Sequence, residues 1–234
     1  MLQTRKFALC QEGLKLIAVI TMLIDHVGLA LCKDNLLMRG IGRLAFPIYV
    51  FLLVEGFYHT GNYLRYLGRL ALFALLSEIP FDFMVSGAWT SPQAQNVMVT
   101  LLLALICLWL LEAVSNLHIL LRVLASGVIL MAIGRMADGV GCDYGAFGIW
   151  LAAIFYFTWR LPWWRYLLQA VGILLLCLLW YGTLWNLEAL AALAILPIAL
   201  YGGERKLQSK AVQYGFYAFY PAHMFIIAIL AYLQ

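Results

Sequence analysis

Charge is what this sequence has least of. Asp, Glu, Lys and Arg make up 11% of its 234 residues, against about 25% in an ordinary soluble domain. That shortfall excludes a water-covered globule and leaves no stretch large enough for a separate soluble domain. Paired cysteine motifs are missing too. The five cysteines, Cys10, Cys32, Cys107, Cys142 and Cys177, are scattered, with no C-x-x-C and no metal-ligand spacing. They read as small apolar packing residues. Cys32 and Cys142 fall at expected outer helix ends, which leaves a bridge between them open, although no spacing supports one. No basic stripe carries interleaved aromatics, so nucleic acid is not an expected partner. There is no G-x-S-x-G elbow, no G-x-G-x-x-G loop and no visible Cys–His pair. Internal repeats, low-complexity linkers and domain boundaries are also absent.

What the sequence has is apolar length. Hydrophobic residues make up 65% of the chain, in runs of about 20 residues, enough to cross a bilayer. The runs at about 14–32, 44–60, 66–84, 97–115, 119–136, 145–159, 164–180, 187–202 and 214–233 predict an all-α, polytopic transmembrane bundle. The expected count is about nine spans, within eight to ten, in one domain covering 1–234. No small-residue cleavage site follows the first run, so it reads as a retained helix and not as a signal peptide.

The net charge of +4 follows the positive-inside bias. With the N-terminus in the cytoplasm, Arg5, Lys6, Arg65, Arg69, Arg122, Arg160, Arg165, Arg205, Lys206 and Lys210 lie inside. Lys33, Arg39, Arg43 and Arg135 lie outside, and Lys15 sits at the inner edge of the first span. Ten against four predicts N-in and C-out. The aromatic clusters "YFTWRLPWWRY" and "WYGTLW" suit the two interfaces.

Against this background the few buried charges stand out. Ionisable residues in hydrocarbon cost a few kcal/mol each on insertion scales and so mark a site. "ITMLIDHVGLAL" places Asp25 and His26 side by side, roughly 10 Å below the expected outer surface at 1.5 Å per residue. Neighbours on a helix point about 100° apart, so each is expected to reach a different partner. The bland alternative is a buried pair that fixes helix packing. Arg39 and Arg43 share a face at the outer start of the second span, either as site residues or as snorkelling anchors. Asp82, Gln95, Asn96, Asp143 and Tyr144 also belong to the outer half, and together these groups are expected to form a polar funnel above His26. Deeper or on the inner side lie Glu55 and His59, spaced i,i+4, then Arg65 and Arg69. His223 lies about 13 Å into the ninth span, beside Pro221, which frees a backbone carbonyl. For Arg65 and Arg69 the plain alternative is a topology signal. For Glu55–His59 it is a structural hydrogen bond. His118, in "SNLHIL", reads as a solvated loop residue.

The segments "LKLIAVITMLIDHVG", "RGIGRLAFPIYVFLLVEGFYHTGN", "RLALFALLSEIPFD", "QNVMVTLLLAL", "DYGAFGI" and "FYAFYPAHMFIIAIL" resemble, in that order and over nearly the whole chain, the TraX family. The matching positions include Asp25, His26, Arg43, Pro47, Glu55, Gly56, Glu78, Pro80, Asp82, Gln95, Asn96, Asp143, Tyr144, Gly145, Pro221 and His223. The middle region from Leu105 to Gly141 carries little of the match. The family is named after a conjugative-plasmid protein that acetylates the N-terminal amine of pilin. The resemblance implies a multi-pass acyltransferase of the bacterial inner membrane. It would use acetyl-CoA or another acyl-CoA as donor substrate, with no bound cofactor and no metal. Its acceptor would be a pilin-like peptide or an envelope glycan or lipid.

Such transfer needs a general base, donors for an oxyanion, and a basic site for the donor's phosphates. Histidine suits the base at neutral pH. The expected assignment is His26 as base, with Asp25 or Glu55 orienting it. Arg39, Arg43, Asp82, Gln95, Asn96, Asp143 and Tyr144 are expected at the acceptor or oxyanion. His59, Arg65, Arg69 and His223 are expected at the acyl donor. Direct transfer is favoured over a Ser or Cys acyl-enzyme, and an acyl-histidine stays open. A proton-coupled transporter or export component would use the same Asp, Glu and His residues, but it predicts repeats or paired broken helices that the sequence does not display. A non-catalytic scaffold leaves the Asp25–His26 pair unexplained.

Overall fold

The computed structural model describes residues 8–33, 35–207 and 209–233. Arg5 and Lys6, used above to orient the chain, lie outside them. The regular elements of the described residues are all helices, with no β-strand among them. In chain order the helices are α1 (Gln11–Ala30), α2 (Leu36–Gly42), α3 (Ala45–His59), α4 (Tyr63–Ser86), α5 (Val97–Ala113), α6 (Ile119–Gly139), α7 (Gly145–Thr158) and α8 (Arg165–Tyr181). A 3-10 helix (Leu187–Ala194), α9 (Ile195–Ala199) and α10 (Lys210–Tyr232) complete them. Every apolar run read from the sequence holds a helix.

Four helices are long and apolar enough to cross a membrane: Gln11–Ala30, Leu36–His59 taken through its turn at Arg43, Ile119–Gly139 and Lys210–Tyr232. Val97–Ala113, Gly145–Thr158, Arg165–Tyr181 and Leu187–Ala199 are apolar but shorter. The nine expected crossings thus stand as four helices of spanning length among the described residues, and two of the expected runs also differ in outline. The second begins earlier, with Arg39 in α2 and Arg43 in the turn just past its end. The run at 187–202 is not one α-helix but a 3-10 stretch continued by an α-helix of five residues. At about 2.0 Å per 3-10 residue and 1.5 Å per α residue it spans only some 23 Å, short of a hydrocarbon core of about 30 Å.

Asparagine starts four of these elements. The side-chain oxygens of Asn35, Asn62, Asn96 and Asn186 accept from the backbone N–H of Met38, Arg65, Met98 and Ala189, satisfying donors a helix start leaves unpaired. Gly87 and Gly182 end α4 and α8 with φ of 72° and 68°.

The helices gather into two compact units. One comprises residues up to Tyr49 and from Leu161 onward, and the other runs from Val50 to Arg160. In the first unit α1 packs on α2 and α10, α2 on the 3-10 helix, and the 3-10 helix on α8 and α9. Leu14, Ala18, Ile173, Ala191, Ile198 and Met224 are fully buried there. The carboxylate of Glu12 accepts from the backbone N–H of Lys206 and Leu207, at 3.1 Å each, so the start of α1 is tied to the segment before α10. In lipid, close packing of small residues drives helix association, and α1 and α2 approach closely. A Cβ at Gly42 would collide with the side chain of Asp25, and one at Gly28 would lie 2.8 Å from Met38 Cβ. Trp163 and Trp185, both exposed, flank the two ends of α8, where rings suit headgroup level.

In the second unit α5 packs on α4, α6 and α7, and α6 on α7. Leu105, Leu108, Ile149, Leu151 and Phe155 form its dry centre. Leu120, Val123, Leu124, Val128 and Met131 of α6 are exposed, as a lipid-facing surface requires.

Candidate functional site

The first unit brings Asp25, His26, Arg39, Arg43 and His223 together. Asp25 and His26 lie in the second half of α1, Arg39 in the last turn of α2, and Arg43 just past its end. The contact depends on Gly42: with no Cβ there, the end of α2 lies against Asp25, and the next residue reaches its carboxylate. Nη2 of Arg43 donates to both oxygens of Asp25, at 2.9 Å each. Nη1 of Arg43 donates to Glu188 Oε2 at 2.9 Å, and Nε donates to the Arg39 carbonyl at 3.2 Å. Arg39 Nη1 lies 2.7 Å from Asp25 Oδ1. Two arginines thus face two carboxylates, all mostly buried. Charge-assisted, partly bidentate pairs of this kind are the strong ones in a low-dielectric site. Nε and Nη2 of Arg39 have no hydrogen-bond partner among the described residues.

His26 points elsewhere. Its Nδ1 lies 2.7 Å from Nε2 of His223 on α10. The two rings are nearly coplanar, 6° apart with centroids at 4.9 Å, the geometry of an in-plane hydrogen bond. His223 Nδ1 is 2.7 Å from the Phe219 carbonyl oxygen, which only accepts. In the neutral pair, His223 therefore carries its proton on Nδ1 and accepts at Nε2, and His26 donates from Nδ1. The network assigns the remaining lone pair to His26 Nε2, which has no partner among the described residues. Phe219 stacks on His223, with centroids 4.7 Å apart, and holds its ring.

Two sequence expectations change here. His223, expected with the acyl-donor residues, lies beside His26, because the face of α10 that carries it packs on α1. Asp25, expected as one way of orienting His26, is held by Arg39 and Arg43, while the His26 Nδ1 goes to His223. Glu188 was not singled out from the sequence. Its signal was available, since it is the one carboxylate in the apolar run "LEALAALAILPIAL".

The remaining expected residues lie in the second unit. Asp82, Gln95, Asn96, Asp143 and Tyr144 gather where α4 ends and α5 and α7 begin. Asn96 is fully buried. Its amide donates to Ala74 O at 2.9 Å and to Glu78 Oε2, and its oxygen caps α5. Asp82 Oδ2 accepts from the Ser91 N–H at 2.7 Å. Gln95 contributes its backbone: its N–H donates to Gly141 O and its carbonyl accepts from the Asp143 N–H, both at 2.8 Å. The Asp143 carbonyl accepts from the Thr100 hydroxyl. Tyr144 precedes α7 in a left-handed conformation, φ 64°. One oxygen of Glu78 and one of Asp82 are buried without a partner among the described residues. Glu55 is buried, and His59 Nδ1 donates to the Glu55 backbone carbonyl at 2.9 Å, not to its carboxylate. Arg65 is exposed, and the Arg69 guanidinium lies 5.4 Å from the centre of the Tyr66 ring. All five cysteines are free thiols, Cys32 exposed and Cys142 buried. No group of three or more His, Cys, Asp or Glu among the described residues could hold a metal ion.

An all-α chain of apolar helices, with a histidine pair set beside an arginine–carboxylate network, defines a membrane protein with a buried polar site. The chain belongs to the TraX family: the model described as "TraX protein" matches residues 10–231. It is similar to the "Probable fimbrial assembly protein FimC, serogroup H1" of Dichelobacter nodosus, 29% identical over 92% of each chain. A shorter likeness, 48% identical over 48 residues, links it to the "Uncharacterized protein RP591" of Rickettsia prowazekii (strain Madrid E), covering 20% of this chain and 19% of that one. No solved structure matches it.

Proposed function

We propose that this protein is a multi-pass acyltransferase of the bacterial inner membrane, with about nine crossings and the N-terminus inside. It moves an acyl group, an acetyl in the simplest case, from cytoplasmic acyl-CoA to an amine or hydroxyl of a pilin-like peptide or envelope acceptor. The observation that carries this reading is the assigned lone pair on His26 Nε2, with donors of Arg39 left open in the same cluster.

His26 Nε2 takes the proton of the acceptor N–H or O–H as that atom attacks the thioester carbonyl. Arg39 donates to the oxyanion that develops. The oxyanion collapses and the C–S bond breaks. The CoA thiolate leaves and takes the proton from His26, giving the amide or ester and free CoA. His223 holds the His26 ring and its tautomer, much as a carboxylate does in hydrolase triads. Arg43, with its donors committed to Asp25 and Glu188, keeps the cluster assembled. Burial excludes the water that would hydrolyse the acyl group. Membership in the TraX family and the fimbrial-assembly name of the D. nodosus relative support a pilin-like acceptor.

A hydrogen-bonded histidine pair also suits a proton-coupled transporter. Purified protein in detergent separates the two. The transferase consumes acetyl-CoA and releases free thiol with no gradient, whereas a transporter turns over only across a sealed bilayer. Absence of both acetyl-CoA consumption and acetyl-CoA binding in folded protein overturns the transferase reading.

A further inference from the structure

We propose that Glu188 is a positioning residue for His26, acting through Arg43 and Asp25. The inference rests on the reading of His26 as the base, but its geometry stands independently. Glu188 lies in the first turn of the 3-10 helix and is 7% exposed. Its Oε2 receives Arg43 Nη1 at 2.9 Å, while its Oε1 is buried with no partner among the described residues. An acidic side chain in that setting is expensive, and a carboxylate needed only to fill space would be replaced without loss by an apolar residue.

The guanidinium is planar and rigid, so fixing Nη1 on Glu188 aims Nη2 at both oxygens of Asp25. Asp25 precedes His26 on α1. Holding its carboxylate fixes the rotation of α1, and hence the direction in which the His26 ring leaves the helix. That direction brings Nδ1 within 2.7 Å of His223 and commits the proton to Nδ1. Glu188 also supplies the second negative charge opposite Arg39 and Arg43. Without it, one arginine is uncompensated and its fork is free to turn away from Asp25. Through Arg43 the 3-10 helix is thereby tied to Asp25 of α1 as well as to α2, on which it already packs.

The test uses the full-length protein with its four histidines labelled with 15N, in detergent, with the His26 signals assigned by their loss in H26A. In the wild type the His26 nitrogens should report one tautomer, protonated on Nδ1. In E188A and E188Q they should report a mixture of both tautomers, and E188D should restore most of the wild-type pattern. E188Q keeps the side-chain volume and carries the test if E188A does not fold. In turnover assays the same two variants should lose roughly 2–10-fold in kcat, no more than removal of His223 itself, with the acyl-CoA KM within about twofold, because orientation of the base matters only to the chemical step. A folded E188Q with an unchanged single tautomer overturns the proposal, even if its thermal stability falls. A wild type that shows the single tautomer but consumes no acetyl-CoA overturns the acyl-transfer reading instead, and leaves this one standing on the tautomer result.

Discussion

His26 Nδ1 and His223 Nε2 lie 2.7 Å apart across 197 positions of sequence. One contact therefore joins the first long helix to the last. It also decides which nitrogen of His26 is left to accept a proton, because the other nitrogen of His223 is committed to the Phe219 carbonyl. The site's chemistry follows from that backbone carbonyl outward.

Replacing His26 by Ala should leave the protein folded and lower acyl transfer by about 10²–10⁴-fold, the usual worth of a general base. Acetyl-CoA turnover by purified protein, set beside its thermal unfolding, checks this. Near-normal turnover would remove His26 from that role.

His223→Ala should have a smaller effect. It removes one hydrogen bond of about 0.5–1.5 kcal/mol, equivalent to roughly 2–10-fold in kcat, and leaves the acyl-CoA KM in place. Steady-state kinetics distinguish this from a loss of donor binding, which would raise KM instead.

Arg43→Ala leaves Asp25 and Glu188 buried without their shared cation. Breaking a buried pair in this way costs about 3–5 kcal/mol. A large fall in thermal stability is expected, and denaturation in mild detergent measures it. Simultaneous apolar replacement of Asp25, Arg39, Arg43 and Glu188 should recover part of that stability while leaving the protein inactive.

Gly42→Ala should disturb the same cluster sterically. The added methyl meets the Asp25 side chain, and overpacking of this kind costs about 1–3 kcal/mol. Gly68→Ala on α4 is the control. Nothing lies within 4 Å of a Cβ there, so it should be neutral or stabilise by up to about 1 kcal/mol. Comparative unfolding of the two variants reads the difference.

The helices were legible because apolar runs of bilayer length bounded by Asn, Gly and charge leave few alternatives. The site residues of the first unit were legible one by one, as charges where charge is costly. Their pairing was not. Nothing local tells His26 that its partner is His223, or tells Asp25 that two arginines will hold it, because both contacts depend on how α1, α2 and α10 pack. Glu188 was overlooked since it follows Trp185 and Asn186 and reads as the polar edge of a span. The 3-10 stretch was not legible either: "LEALAALA" is made of good α-formers, and nothing in the structure explains its tighter winding.

Orientation is tested by placing single cysteines in the segments 86–95 and 202–210. The first should label with an impermeant probe from outside, and the second only after the membrane is opened, as the charge split requires. The reverse pattern would invert the chain and move Arg65 and Arg69 away from the acyl-CoA side.

The central claim is transfer of an acyl group by His26, and mass spectrometry of the cell envelope tests it whatever the acceptor is. Envelope proteins and glycolipids are compared among cells carrying the wild-type gene, the H26A variant expressed to the same level, and no gene. The account predicts at least one species that gains an acyl mass only with the wild type. Identical sets of acylated proteins and glycolipids in all three would contradict it.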